Sequence, residues 1–452
     1  MKLQDQPNAS STQLLEAPEW LKNWEPENPE FFETTGKPIA WRTLIVTTFC
    51  LTIAFTTWFM VSAIVPNLKG IGFNITESQA FWLLAMPGLA AGTLRILHMF
   101  LVPIFGTRKT VTFSTLILLV PCLGWAWAVQ NPSTSFGVLM ALSFIAGLGG
   151  GNFSSFMPST SLFFPKKKLG TALGIQAGIG NFGVSLVQFL VPIVIAFGAI
   201  GASQTLTTKG TEKTIYLQNA ALIWIPFVLV GSVWAWKSLK SVPVKASFRE
   251  QADIFKNKHT WLMTSLYIMT FGSFSGLAMV FPKLIGSLYG GFENAPNPLV
   301  YAFLGPLVGA GIRAAFGPVA DKIGGAKVTM ISAVGMVASA IGVSFYTNPT
   351  SVDQFQGFLW CMLALFLFCG IGNASTFKQM PMIFPPRQAA GVIGWTSAIA
   401  AYGPFMISVL IGWINGMTGN PTAFFYGAAA FYAVNLVINW WFYARKGAEK
   451  PC

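Results

Sequence analysis

Long apolar runs alternate with short polar stretches along the whole chain. A run of about 20 apolar residues is long enough to cross a hydrocarbon core of about 30 Å as an α-helix, which satisfies its own backbone hydrogen bonds. This pattern predicts an all-α integral membrane protein with about twelve transmembrane helices. The predicted spans lie near residues 43–66, 78–105, 110–130, 136–164, 170–200, 219–236, 261–289, 300–320, 326–346, 355–384, 389–416 and 421–444.

One stretch, GLGGGNFSSFMPSTSLFFPKKKLGTALGIQAGIGNFG at 147–183, is rich in glycine and small residues. It predicts two helices with small-residue faces, joined by one basic turn. Glycine costs a soluble helix about 1 kcal/mol, whereas membrane helices associate through close packing of small residues. We therefore expect helix backbones to touch along this stretch, at spacings such as Gly170, Gly174 and Gly178. Ordinary packing accounts for the spacing equally well. The glycines predicted to serve packing or gating are Gly149, Gly150, Gly174, Gly178, Gly180 and Gly372.

Composition agrees with a polytopic membrane protein, since 53% of the 452 residues are hydrophobic, 10% are charged and the mean hydropathy is +0.59. The first 20 residues are polar and contain no short apolar core with a cleavage site, so no cleaved signal peptide is expected. The five cysteines are scattered and do not have the spacing of metal ligands. We expect no disulfide framework, no metal site and no other cofactor.

The net charge of +13 does not point to nucleic acid, because the basic residues fall in short loops between apolar spans. Basic and non-basic loops alternate, and by the positive-inside rule this alternation predicts that both termini are cytoplasmic. The longest basic loop lies in the middle of the chain and divides it into two halves. The predicted divisions are a cytoplasmic N-terminal segment 1–42, six-helix halves 43–236 and 261–444, a cytoplasmic central loop 237–260 and a tail 445–452.

The two halves repeat each other. A shift of about 220 residues lays Phe164-Pro165 on Phe384-Pro385 and Gly150 on Gly370, and a shift of 218 lays Gly106 on Gly324. Such pseudosymmetric halves are the architecture of a transporter with its site between them. The loop GPVADKIGGAKVT at 317–329 resembles the motif that carriers of the major facilitator superfamily place between the second and third helix of a half. We expect its Asp321 to latch helices at the cytoplasmic side.

The distribution of charge inside the apolar spans is the most informative feature. All 15 acidic residues fall in tails, loops or span ends, whereas Arg95, Arg313 and Lys378 lie well inside spans. A buried arginine costs about 2.5 to 3.5 kcal/mol on insertion scales and is a functional candidate by default. Arg95 and Arg313 correspond in the two halves, so we expect them to face each other and bind a small anion. An arginine fork suits a planar oxyanion. Binding to backbone carbonyls, or extension to the membrane surface, is the structural alternative.

These residues resemble the nitrate/nitrite porter family of the major facilitator superfamily over nearly the whole chain. The resemblance rests on WEPENPEFFETTGKPIAWRTL, on the glycine-rich stretch above, on GIGNASTFKQMPMIFPPRQAAGVIGWTSAIAAYGP and on both arginines. It implies a bacterial inner-membrane protein that carries nitrate and nitrite as a functional monomer. It also implies that Arg95 and Arg313 clasp the anion, that Asn181 and Tyr267 add hydrogen bonds, and that three rings sandwich it. Those rings are Phe55, Phe153 and Phe271, although phenylalanines in membrane helices usually serve packing.

Two coupling modes remain open. Two arginine charges repel each other in an empty site, so only the loaded carrier would cross easily, which predicts obligatory exchange of nitrate for nitrite. The alternative is proton-coupled nitrate uptake, with His98 or Lys378 as the titrating group. The short linker FPPRQAAGV leaves the subtype open, because some exchangers of the family carry a long insertion there.

Other classes of protein fit the sequence less well. Duplicated halves broken by proline and glycine argue against an anion channel, and a tail of nine residues after Tyr443 argues against a sensor with a signalling domain. An enzyme is not expected, because the chain has no histidine pair and no metal cluster.

Overall fold

The computed structural model describes residues 19–198, 200–208, 211–243 and 252–452. Twelve of its helical segments are long and apolar enough to cross a membrane, which confirms the predicted number. They are α1 (Pro29–Ile71), α2 (Glu77–His98), α3 (Leu101–Ala128), α4 (Phe136–Ser161), α5 (Lys166–Val194), α6 (Asn219–Ser238), α7 (Lys258–Tyr289), α8 (Pro298–Gly317, continuing to Ile323), α9 (Gly325–Ser344), α10 (Gln354–Ile383), α11 (Gly391–Thr418) and α12 (Thr422–Ala444).

Helix α1 begins earlier than the apolar pattern indicated. The side chain of Asn28 caps its first turn by accepting hydrogen bonds from the backbone of Glu30 and Phe31, and Pro29 occupies the first helical position. Both features favour a helix start. The added turns place Phe32 against Phe164, so the expected N-terminal segment is anchored on the loop after α4.

The chain reverses in the same way in both halves. Gly106 has φ of 76° and Gly324 has φ of 97°, a backbone region that glycine adopts without steric cost. Residues 101–105 therefore continue the direction of α2, and the chain turns at Gly106, just as α8 turns into α9 at Gly324. The sequence shift of 218 that related these two glycines thus corresponds to a repeated backbone geometry. Asp321 lies three residues before Gly324, but its side chain falls outside the described residues.

Helices α1 and α7, the first of each half, lie at the centre of the bundle. In their most apolar windows 83% and 89% of residues are buried, against 33% for the peripheral α12. We call the end of the bundle that holds Pro29 and Ala444 the terminal end. At the opposite end, which we call the hairpin end, strand β1 (Gln204–Thr208) pairs antiparallel with β2 (Thr211–Ile215), with Gln204 opposite Ile215. This hairpin was not among the predicted elements.

Helices α5 and α8 bring the two halves together at the hairpin end and separate toward the terminal end. Ser185 donates a hydrogen bond to the Phe303 carbonyl at 2.9 Å, and a Cβ at Gly178 would lie 3.5 Å from the Cβ of Ala314. One turn farther, a Cβ at Gly174 would meet nothing within 4 Å. Helices α5 and α8 therefore diverge below Gly178.

The expectation of close backbone packing is right for some of the glycines and wrong for others. Gly149 lies against the carbonyl of Ala54 on α1, and Gly150 lies against Ala91 on α2. Gly180 packs on Leu51, where an added Cβ would lie 2.7 Å from Leu51 Cδ2, and Gly372 packs on Thr270 and Ser332. The expectation is wrong for Gly170 and Gly174, because α8 diverges from α5 at that level and no described residue lies within 4 Å of a Cβ at either position.

Candidate anion site

Arg95 is fully buried where α2, α4 and α11 meet. Its Nε donates to the carbonyl of Gly150 at 2.9 Å and its Nη1 donates to the carbonyl of Ser397 at 2.6 Å, whereas its Nη2 has no partner. The alternative that the arginines bind backbone carbonyls is therefore partly realised. Two nitrogens fix the plane and direction of the guanidinium, and the third leaves two N–H donors unused. Because Ser397 belongs to the second half, Arg95 also bridges the two halves.

Aromatic rings surround the Arg95 guanidinium. Its Cζ lies 4.6 Å from the ring centroid of Phe153, 5.2 Å from that of Phe271 and 5.7 Å from that of Trp58. Phe55 stacks on Phe153 with centroids 6.3 Å apart and planes 22° apart. The three predicted phenylalanines therefore lie together beside Arg95. Cation–π contacts of this kind help to hold a desolvated cation.

On the other side of the site, Phe377 on α10 links Arg313 to Tyr267. The ring centroid of Phe377 lies 5.8 Å from Arg313 Cζ and 6.1 Å from the Tyr267 ring. Tyr267 in turn stacks on Phe271, with centroids 5.5 Å apart and planes 9° apart. Arg95 interacts electrostatically with both Arg313 and Tyr267. The structure thus brings both arginines and the predicted aromatic residues into one continuous cluster.

Several buried polar atoms of this cluster have no hydrogen-bond partner among the described residues. They are Nη2 of Arg95, Nη1 of Arg313, the Tyr267 hydroxyl, and both Nδ2 and Oδ1 of Asn181. Asn181 is fully buried on α5, two residues before Gly183, which packs on the Cβ of Phe55. An unpaired buried donor costs about 1–3 kcal/mol. The unpaired donors among them, on Arg95, Arg313, Tyr267 and Asn181, are suited to a ligand that supplies acceptors.

No described carboxylate forms an ion pair with Arg95 or Arg313. The two positive charges therefore favour an anion, and the unpaired N–H and O–H groups are donors suited to its oxygens. Groups of three or more metal-binding side chains are absent from the described residues. The arrangement can hold a small anion between two guanidinium groups and flanking rings.

The two candidate coupling residues lie in different settings. His98 is 7% exposed and its Nδ1 lies 2.9 Å from the Ser155 hydroxyl, which belongs to α4 of the same half. Lys378 is partly buried on α10, next to Phe377, and interacts with other groups of the protein. His98 is therefore held by a hydrogen bond within its own half. It interacts electrostatically with Arg95, one helical turn away, but no described hydrogen bond or ring contact joins it to the aromatic cluster.

Sequence reasoning did not single out three parts of the cluster. Trp58 and Phe377 look like ordinary residues of apolar helices, and the Ser397 carbonyl is a backbone group that only the fold can bring to Arg95. A π-helical segment, Ile268–Gly272, begins directly after Tyr267 and contains Phe271. Such segments are frequent at functional sites.

Comparison with known proteins identifies the family. The sequence profile of the Major Facilitator Superfamily matches residues 47–381. The chain is 60% identical to the probable nitrate/nitrite antiporter NarK2 of Thermus thermophilus, over 96% of this chain and 98% of that one. It is 37% identical to the nitrate/nitrite transporter NarU of Escherichia coli, over 94% and 96% of the two chains.

Solved structures agree on the fold. A bacterial homologue of the human lysosomal transporter Spinster superposes with a TM-score of 0.61 at 13% identity, covering 89% of this chain and 96% of that one. The nucleoside transporter NupG also superposes with a TM-score of 0.61, at 12% identity, covering 89% and 98%. At these identities the likeness concerns the fold alone. The sequence relatives, which match almost from end to end, carry the assignment further: this chain belongs to the nitrate/nitrite porter family of the Major Facilitator Superfamily.

Proposed function

We propose that this protein exchanges nitrate for nitrite across the bacterial inner membrane by alternating access around an anion held between Arg95 and Arg313. The observation that carries the proposal is the group of buried donors without partners around two arginines that no described carboxylate neutralises. Relatives at 60% and 37% identity that are named as nitrate/nitrite antiporter and transporter support the choice of anion.

Each side chain has a role in this proposal. The unused N–H groups of Arg95 and Arg313 bind oxygens of the anion from opposite sides, and Tyr267 and Asn181 donate further hydrogen bonds. Phe55, Phe153 and Phe271 keep water out and bracket the flat anion.

This charge balance explains exchange. At a separation of about 6 Å and an effective dielectric constant of about 20, two arginine charges repel by roughly 3 kcal/mol. An anion between them replaces repulsion with attraction. Closure of the site without a bound anion is therefore unfavourable. The halves 43–236 and 261–444 change their relative orientation only when an anion is bound. The divergence of α5 and α8 below Gly178 provides the opening toward the terminal end, which by the positive-inside rule is cytoplasmic.

The test is nitrate uptake into proteoliposomes of the purified protein, with and without trapped nitrite, at zero and at imposed pH gradients. We expect uptake to require an internal anion and to be independent of the pH gradient. Arg95→Lys and Arg313→Lys should each lower uptake by at least ten-fold, because lysine keeps the charge but loses the two-pronged donor. Arg445→Lys is the matched control, since Arg445 lies outside the bundle on Trp441.

Uptake into empty vesicles driven by an inward proton gradient would replace exchange with proton symport. His98→Gln distinguishes exchange from proton symport further. Because His98 is bonded to Ser155 within its own half, we expect the glutamine variant to exchange nitrate at an unchanged rate across pH 6 to 8. Normal transport by both lysine variants would refute the two-arginine site.

A further inference from the structure

Asn373 on α10 has a buried amide group without partners. The residue is 0% exposed, and neither its Nδ2 nor its Oδ1 forms a hydrogen bond with any described residue. Burying an amide in this way is unfavourable unless something outside the chain satisfies it. Among the described asparagines, only Asn373 and Asn181 have both amide atoms buried and unpaired.

The repeat offers a built-in comparison. The segment GGNFSSF at 150–156 corresponds to IGNASTF at 371–377, which places Asn152 opposite Asn373 in the two halves. Asn152 donates from Nδ2 to the carbonyl of Ser114 at 3.0 Å and so ties α4 to α3. Asn373 makes no such bond. Packing between helices therefore explains the asparagine in the first half and not the one in the second.

The position of Asn373 points to the anion site. Gly370, three residues earlier, packs on Gly309 and Ile312 of α8. Phe377, four residues later, lies 5.8 Å from the Arg313 guanidinium carbon. Residues three and four apart share one face of a helix. Asn373 therefore faces α8 at the level of Arg313, whose Nη1 is also unpaired.

We propose that Asn373 is a further anion-contacting residue on the Arg313 side of the site. Its Nδ2 donates to an oxygen of the bound anion, and its Oδ1 accepts from Arg313 when the site is loaded. A neutral amide can do both without adding to the charge of the empty site. This inference rests on the proposed function and adds to it a residue that sets affinity.

The test measures nitrate dissociation constants by calorimetry on the purified full-length protein, with the melting temperature of each variant. Asn373→Ala should weaken nitrate binding by about ten-fold or more, because a hydrogen bond to a charged group is lost. Asn373→Asp should weaken it further, since the carboxylate repels the anion and pairs with Arg313. Asn373→Ser keeps a donor and should lie between wild type and alanine.

Asn152→Ala is the matched control. It removes the bond to Ser114 and should lower the melting temperature while leaving nitrate affinity within two-fold of wild type. If Asn373→Ala does not fold, the nitrate affinities of Asn373→Ser and Asn373→Asp test the inference, which predicts weaker binding by the aspartate variant than by the serine variant. If wild type binds nitrate and the Asn373 variants bind it with the same affinity, the role of Asn373 is refuted and the proposed function is not. A folded wild-type protein that does not bind nitrate would instead overturn the proposed function.

Discussion

The Tyr267 hydroxyl gives the anion site its sharpest single-residue test. It is buried and has no hydrogen-bond partner in the part of the chain that the structure describes, so removing it breaks no bond seen there. Tyr267→Phe should therefore weaken nitrate binding by about ten-fold while leaving the melting temperature unchanged or slightly raised. Calorimetry and thermal unfolding measure the two effects separately.

Tyr432→Phe is the matched control for this prediction. The Tyr432 hydroxyl is also buried, but it donates to the Ser273 hydroxyl at 2.9 Å. Its loss should lower the melting temperature and leave nitrate affinity unchanged. A Tyr267→Phe protein that loses stability but binds nitrate normally would assign Tyr267 to packing.

At the scale of residues, charge was the predictable part of the site. Arg95 and Arg313 stand out in the sequence because a cation in an apolar span has few structural explanations. Phe377 does not, because its importance depends on where α10 meets α8. The carbonyl of Ser397 carries no sequence signal at all, since every residue has one. Contacts made through backbone groups or ordinary aromatic rings require the three-dimensional arrangement.

Among the elements, the first-half glycines set how closely α4 approaches its neighbours. A Cβ at Gly149 would overlap the carbonyl oxygen of Ala54, which is backbone and cannot rotate away. Gly149→Ala should therefore destabilise the protein by about 1–3 kcal/mol, the usual cost of overpacking. Thermal unfolding in detergent measures the change.

Gly427→Ala on α12 is the control for that prediction, because a Cβ there would meet nothing within 4 Å. The same change of residue in a helix should then leave the melting temperature unchanged or raise it. Equal losses at both positions would show that close approach to α1 is not the reason for Gly149.

The segment after α12 is held to the start of α7 by a pH-sensitive contact. Glu449 accepts hydrogen bonds from Lys258 at 2.7 Å and from His259 at 3.2 Å, and these lower the pKa of the Glu449 carboxyl below its usual 4.5. A lowered carboxyl pKa means that the contact stabilises the folded state above pH 4.5 and that this stabilisation is lost as pH falls below it.

The melting temperature of Glu449→Gln should therefore lie below that of wild type at pH 7, and the difference should shrink as pH falls from 4.5. Thermal unfolding across pH 7 to 4 tests this. Glu212→Gln on β2, at the opposite end of the protein, is the control and should show no such convergence. A constant difference at all pH values would mean that the carboxylate charge is not involved.

Across the whole molecule, an ion pair joins the two halves at the hairpin end. Lys283 on α7 lies 2.6 Å from Glu77 on α2, and its side chain is only 15% exposed. Nearby, Gln188 on α5 donates to the Ala278 carbonyl at 2.8 Å. These bonds must break when the hairpin end opens, so they stabilise the conformation that is closed at the hairpin end.

Lys283→Met should shift the equilibrium toward the state open at the hairpin end by a few fold, since partly exposed ion pairs contribute up to about 1 kcal/mol. Distances between spin labels on α5 and α8 measure the shift. Lys258→Met is the control, because its partner Glu449 follows α12 and the pair does not join the two halves. An unchanged distance distribution in the Lys283 variant would contradict the prediction.

The twelve-helix architecture and its duplication were predictable because hydrophobic run length and a shift of about 220 residues are properties of the whole chain. The conformational state was not, because it depends on small differences between inter-half contacts that no local pattern encodes. The empty space beside Gly174 illustrates this, since the sequence predicted a tightly packed glycine there.

Because of that space, a bulky side chain at position 174 could block closure of the terminal end. A tryptophan introduced there would occupy room that α8 must enter when the terminal end closes, without disturbing the present packing. The carrier would then bind nitrate from one side and fail to release it on the other, so binding would persist while exchange stopped. Such a variant would be restricted to one conformation, which is useful for crystallising the protein with nitrate bound.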